Sequence, residues 1–359
     1  MKPFVSIRLA QTKDKSPWDS YVIQHPRGIA YQFYAFKEAI QKVYGFKGVY
    51  FLAHAKNRVV GILPLVHVHL PGLSGSLVSL PYCDAGGMLA DSVDIEKRLL
   101  EHALAYSNKS GINRVCIRSI KEFANIDPCL TINPNKARMV LQLPKTSDVL
   151  LSSLTAKVRS QVKKPLRDGL FCEIGGKKLL PDFYKVFCEN MRDLGSLVHS
   201  FEWLQQILIA YQNRAHVGIV RMPDNKAVAA GIILCHPKVV SIPWASSLRR
   251  FNRLNPNMLL YWNFLNFAIS HGYREFDFGR STPEEGTFRF KKQWGAIPQF
   301  LHWADFKTVQ PTVRIPVPMA GQLDNQVLSH RKLAESILSK TPVALTTYLG
   351  SHIRKFISL

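Results

Sequence analysis

Acidic side chains are scarce in this 359-residue chain: 25 Asp and Glu stand against 47 Lys and Arg, giving a formal charge of +22 and a pI near 9.8. The imbalance points to an anionic counterpart, whether nucleic acid, an anionic membrane surface, or a phosphorylated donor or acceptor. Cysteine is sparse too. The six cysteines form no Cys-x-x-Cys pair and no repeated spacing, which argues against a disulfide framework or a cysteine-based metal centre. They read as reduced core residues of a cytoplasmic protein, and no metal is expected. His67 and His69 share one strand face, but no third ligand accompanies them. Long apolar runs are missing as well: no window approaches a membrane span, and the opening Met-Lys-Pro-Phe-Val-Ser-Ile is too short in apolar residues for a signal peptide. No Ser-His-Asp or Cys-His spacing stands out, so the chemistry does not require a covalent intermediate.

What is present is a globular composition, 47% hydrophobic and 11% aromatic, long enough for two domains of ordinary size. Strand-like runs at 49–53 and 59–70 flank the polar Lys56-Asn57-Arg58, a hairpin signature that recurs at 217–222 and 228–235 around Asp224-Asn225-Lys226. Each hairpin is followed by a strand with a proline, a helix, a glycine and another strand. Pro81 and Pro243 stand 162 positions apart, and Gly111 and Gly272 stand 161 apart. So regular an offset reads as a duplicated α/β domain with mixed sheets and one right-handed crossover per copy. Pro144-Lys145 marks the boundary, giving a first domain at 1–145, a second at 146–307 and a tail at 308–359.

The second domain opens with a cationic helix carrying Lys157, Arg159, Lys163 and Lys164, expected to end at Pro165, whose face is either solvated or set against an anion. In each copy the strand-to-helix junction, 82–91 and 244–256, can present free N–H groups; the first holds the pair Gly86-Gly87, and the second adds cations beginning with Arg249. In Phe276–Ala296 a strand hands over to a polar turn. Asp277 alternates with Phe276 and Phe278, Arg280 leaves the strand end, and Lys291 and Trp294 follow, at the place where open α/β sheets put ligands. The first copy has Val115-Cys116-Ile117-Arg118 where the second has Phe276-Asp277-Phe278-Gly279, so the acid is expected to serve chemistry rather than the shared fold. In the tail, 323–338 reads as a helix and 343–359 as a basic amphipathic segment suited either to the inner membrane surface or to packing on the second domain.

Taken as an ordered series, Ser79-Leu80-Pro81-Tyr82 with Gly86-Gly87-Met88, Lys157-Val158-Arg159-Ser160-Gln161, Asn190-Met191-Arg192-Asp193, Pro243-Trp244-Ala245-Ser246, Asp277-Phe278-Gly279-Arg280 and Lys291-Lys292-Gln293-Trp294 resembles the tandem-GNAT architecture of Fem-type transferases. More narrowly it resembles the FemAB-related proteins of exosortase and PEP-CTERM systems. The resemblance covers about residues 15–305. It implies two duplicated GNAT-like domains and transfer of an acyl group, from acyl-CoA or aminoacyl-tRNA, to an amine of a cell-envelope glycan or peptidoglycan-type precursor. On that reading Asp277, Asp91 and Lys291 are the catalytic candidates, while Tyr82, Gly86, Gly87, Arg159, Trp244, Arg249, Arg280 and Trp294 bind substrate. Two departures stand out: no Arg/Gln-x-x-Gly-x-Gly/Ala loop follows 239–247, and Gly86-Gly87 replaces the Gly-Pro pair of Fem enzymes. The alternative is a non-catalytic GNAT-like module that holds an anionic glycan or nucleic acid. It would need only a cationic and aromatic lining.

Overall fold

The hairpin, strand, helix and strand that occur twice in the sequence build two mixed sheets of matching order in the computed structural model, which describes residues 4–70, 72–122, 130–132, 135–307 and 335–357. The first sheet runs β1 (Val5–Leu9), β2 (Gly48–Ala55), β3 (Arg58–Val68), β4 (Ser76–Val78), β6 (Arg114–Ser119), β15 (His302–Lys307) and β7 (Leu130–Ile132), with the short β5 (Leu89–Ala90) added to β3. The second runs β9 (Phe171–Gly175), β10 (Ala215–Arg221), β11 (Ala227–Cys235), β12 (Val239–Ser247), β13 (Glu275–Ser281), β8 (Ala137–Gln142) and β14 (Ile297–Phe300). In both, the only parallel pair among the described residues is the one the crossover helix joins, β4 with β6 and β12 with β13.

The helices are α1 (Lys15–Gln24), α2 (Tyr34–Tyr44), α3 (Val93–Lys109), α4 (Ser147–Ser153), α5 (Ala156–Arg167), α6 (Leu180–Asp193), α7 (Phe201–Tyr211), α8 (Pro256–Ser270) and α9 (Gly286–Lys292), with a tail helix at Val343–Ile353. Local chemistry explains their ends. Ser92 caps α3 by accepting from the Ile95 N–H, with Asp94 and Glu96 in the first turn, and Thr155 caps α5 through the Val158 N–H. Pro165 does not end α5 as the sequence suggests. It sits buried in the last turn, and the helix closes at Asp168 and Gly169. The expected helix at 323–338 lies largely outside the described residues.

The linear division at residue 145 does not describe the sheets. Strand 137–142, read as part of the first domain, pairs with β13 in the second sheet, and β15 from the second half pairs with β6 in the first. The cores follow the same logic. Leu99, Leu100 and Ala103 of α3 pack on one face of the first sheet, while Met258, Phe264 and Leu265 of α8 pack on one face of the second. The two remaining faces share a single core, in which Trp18, Phe36 and Tyr50 meet Phe183, Trp203 and Ile232. The Phe36 and Trp203 rings, from different halves, meet edge to face at 5.6 Å. No helix among the described residues is long and apolar enough to cross a membrane.

Because each sheet borrows a strand and the central core needs both halves, fragments 1–145 and 146–359 are expected to melt without cooperativity when expressed apart and to regain a single sharp transition when coexpressed. A sharp melt of either fragment alone, followed by circular dichroism, would overturn this.

Candidate active site

The parallel strands β12 and β13 stay together only from Val239–Ser241 against Glu275–Asp277. Beyond that point β12 remains on β11 through Ser247, while β13 bulges between Asp277 and Arg280 to follow β8. Gly279 lies in the bulge at φ 73°, a conformation costly for a side-chain-bearing residue. A wedge opens where the strands part. It forms a hollow of about 370 Å³, walled by Ile242–Ala245 and Phe278–Arg280 and closed from the other half by Tyr82, Cys83 and Asp84.

Lys291 on α9 is buried against this bulge and donates from Nζ to the carbonyls of Gly279 (3.0 Å) and Arg280 (2.8 Å). Burial lowers its ammonium from 10.5 to about 8, against the opposing pull of Asp84 and Asp277. An ammonium carries three N–H groups. Two are fixed by the bulge, and Lys291 lines both the main hollow and a second one of about 270 Å³, so the third serves the cavity. Asp84 faces it across the floor: its carboxylate accepts from the Arg280 backbone N–H at 3.1 Å and pairs with Arg280 Nε at 3.2 Å. His199 is buried in the wall with Nδ1 2.8 Å from the Tyr44 hydroxyl, and burial beside Arg354 holds its imidazole neutral. Burial likewise pushes the Tyr261 phenol up, so it stays protonated where the two hollows meet. The Cys83 thiol is driven up by burial too and offers no thiolate.

The second hollow continues into a third of about 280 Å³, sharing Ser247, Asn257 and Phe290 with it, toward the N-terminus of α8. The whole cleft runs from between the halves, past Lys291, to a helix start.

Residues 155–292 match the family of GNAT acetyltransferase domains described as Acetyltransf_6. Among solved structures the chain is similar to FemX, at 16% identity with a TM-score of 0.66 over 84% of this chain and 97% of that one. This is a tandem GNAT fold. A tandem GNAT protein from the clavulanic acid biosynthesis pathway matches at 11% identity and a TM-score of 0.54, covering 86% of this chain and 99% of that one. The C-terminal domain of a putative lysylphosphatidylglycerol synthetase from Agrobacterium fabrum matches at 12% and 0.50, covering 82% and 92%. No curated protein matches the sequence.

Within the tandem GNAT fold, four residues singled out from sequence come together: Tyr82, Trp244, Arg280 and Lys291 all line the main hollow. The rest do not. Asp277 lies beneath the wall, with one carboxylate oxygen accepting from the Gly279 N–H at 2.9 Å and the other 3.5 Å from Arg138; it pins the bulge instead of facing substrate. Asp91 sits at the far edge of the first sheet, bonded to the Tyr21 hydroxyl and to Arg58. The pair Gly86-Gly87 presents no open cradle. Gly86 donates to the Arg118 carbonyl, and a Cβ on Gly87 would lie 2.7 Å from the same oxygen. Trp294 is core, packed near Phe290, and Arg159 donates back to the Leu154 carbonyl. Arg249 is exposed on the turn before α8.

The acid is not special to the second copy either. Arg114 of β6 pairs with Asp305 of β15 at the first exchange seam, as Asp277 of β13 pairs with Arg138 of β8 at the second. Sequence reasoning missed Asp84, His199, Tyr261 and Arg354, all of which line the hollow. Asp84 stood within the junction 82–91; the others gave no local signal.

The lowered pKa of Lys291 makes stability depend on pH with a definite sign. Between pH 8 and 10.5 the unfolded chain holds a proton the native state has lost, so this group makes the fold more stable as pH rises. In urea melts at pH 7 and pH 10.5, wild type is expected to gain up to roughly 3 kcal/mol relative to Lys291→Met across that range. A difference that does not move with pH would mean Lys291 titrates like a free lysine.

Proposed function

We propose that the chain is an N-acyltransferase that moves an activated acyl group from a phosphate-bearing carrier, acyl-CoA or aminoacyl-tRNA, to an amine of a cell-envelope glycan or peptidoglycan-type precursor. The observation that carries this is the Lys291 ammonium, held by two bulge carbonyls on a residue that lines both hollows, which leaves its third N–H for a ligand. The acceptor amine enters from the side of the first half, where the Asp84 carboxylate orients it. The acyl carbonyl sits in the wedge between β12 and β13, where the edge of β12 beyond Ser241 has no strand partner and its outward N–H and C=O groups can hold an extended arm. Attack by the neutral amine forms the new C–N bond and a tetrahedral oxyanion. The third N–H of Lys291, on a buried side chain, stabilises that charge. Collapse breaks the bond to the carrier. The proton lost from nitrogen leaves with the carrier, past the protonated Tyr261 hydroxyl.

The carrier lies along the second and third hollows, toward the start of α8. Gln161 and Asn252 line that end, so Arg159 and Arg249 stand on the two elements that border it, within reach of a carrier's outer phosphates. The ordered motif series supports placing the chain with FemAB-related proteins of exosortase systems.

The test is transfer of labelled acyl groups from acetyl-CoA, and separately from aminoacyl-tRNA, to amine-bearing muropeptide and glycan precursors, with products read by mass spectrometry. One donor is expected to support transfer. Lys291→Ala is expected to lower kcat by roughly 10²–10³, while Asp277→Asn, which keeps the acceptor oxygen for Gly279, stays within about threefold. The wild-type rate is expected to fall above pH 8 as the ammonium is lost. No transfer from either donor, or equal rates in wild type and Lys291→Ala, would overturn the assignment in favour of a binding module.

We also propose peripheral membrane contact through 343–359. One face of the tail helix is buried at Thr346, which leaves Leu345, Tyr348 and Ile353 exposed on the outside. Flotation with anionic vesicles is expected for wild type and lost in Tyr348→Asp/Ile353→Asp. Flotation of both, or of neither, removes the contact.

A further inference from the structure

The tail helix does not hang free. Gly350 lies directly on the backbone at Val198, where a Cβ would sit 2.7 Å from the carbonyl oxygen, and the turn that follows crosses to the other half. There the Tyr82 hydroxyl donates to the Lys355 carbonyl at 2.5 Å, and the Phe356 ring meets Phe46 at 6.1 Å. The strap so formed carries Arg354 into the wall of the main hollow, beside Tyr82, His199 and Arg280.

The surroundings of Arg354 are short of negative charge. Its guanidinium lies 5.8 Å from the Tyr82 ring centroid and donates to the Ile357 carbonyl. No carboxylate among the described residues pairs with it. Arg118 and Arg280 approach closely enough to repel it, and the Tyr44 and Tyr82 hydroxyls are neutral. The one acid lining the hollow, Asp84, is already bonded to Arg280. Arg280, Lys291 and Arg354 therefore face a single carboxylate across a cavity with room for a ligand. A half-buried guanidinium in such a place is offset by an anion, and its planar fork suits phosphate oxygens.

We propose that Arg354, delivered by the C-terminal strap, binds a phosphate or diphosphate group of the acceptor, so that the acceptor site is complete only when the tail is docked. This deepens the reading of the hollow as an acyl-acceptor site and rests on it for the word acceptor. The binding itself is independent of transfer. The diphosphate belongs either to a nucleotide-linked sugar or to a lipid-linked one, and the same guanidinium serves both.

Calorimetric titration of the full chain with inorganic pyrophosphate, with no acyl donor present, tests the site. Wild type is expected to bind, Arg354→Gln to weaken binding at least tenfold, and Arg354→Lys to fall between. Lys97→Gln, on the far face of the first sheet, is expected to match wild type. Parallel titrations with UDP-N-acetylglucosamine and geranyl diphosphate separate the two sources by which binds more tightly. Hydrogen exchange of the 343–357 amides reads tail docking in each variant and is expected to be unchanged. Equal affinity in wild type and Arg354→Gln, no pyrophosphate binding by wild type, or loss of binding only where tail protection is also lost would overturn the proposal. Arg354-dependent binding without acyl transfer would instead sink the transferase reading and leave this site standing.

Discussion

Everything at the centre of this molecule depends on two exchanged strands. β8 leaves the first half to complete the second sheet, and β15 returns from the second half to complete the first. Each seam carries a buried Asp with an Arg on the neighbouring strand, Asp277 with Arg138 and Asp305 with Arg114, the acid on opposite members of the pair in the two copies. At the Asp277–Arg138 seam, where both groups are buried, removing one partner strands a charge away from water, at a cost of about 3–5 kcal/mol; at the other seam Arg114 is half exposed and the cost is smaller. The pairs thus favour the exchanged register over any arrangement in which each half closes its own sheet and leaves these charges unmatched.

The site is a consequence of how one seam ends. Asp277 holds the Gly279 N–H, which fixes the bulge, and the bulge turns the Gly279 and Arg280 carbonyls toward Lys291. With β13 drawn toward β8, β12 loses its neighbour and the wedge opens. Asp277 is therefore a positioning residue twice removed from substrate: it sets the turn that sets the lysine. An acid at the end of a strand looks the same in sequence whether it faces a ligand or its own backbone, because alternation gives the face of the sheet and not the hydrogen-bond partner.

That distinction marks what was legible. The duplication, the two hairpins, the crossover helices and the α/β class followed from periodicity, turn residues and the near-constant offset between copies, all of which are local or self-referential signals. Tyr82, Trp244, Arg280 and Lys291 were legible as site residues because they lie just past β4, in the later part of β12, near the end of β13 and on the helix that follows it, where the topology gathers side chains. Strand exchange was not legible, since β8 pairs just as well in pattern with either sheet. His199 was hidden for a similar reason: its role comes from Tyr44, 155 positions away, and its neutrality from burial among rings contributed by both halves. Asp91 looked suitable by position, but Tyr21 and Arg58 already occupy its oxygens.

The same consideration governs the charge. A surplus of +22 says nothing about place, because several cations are spent on the fold itself: the buried Arg138 at one seam, the half-exposed Arg114 at the other, and the buried Arg221 between Glu173 and Asp182. What matters for a ligand is the local remainder after such pairing. Around the main hollow that remainder is positive because, among the described residues, Asp84 is the only carboxylate lining it and the strap adds Arg354 without adding an acid. A basic residue whose neighbour is clamped by a tyrosine hydroxyl 273 positions away carries no sequence signal of its own. Its meaning comes from the docking of the tail, which makes the C-terminal segment part of the site it closes.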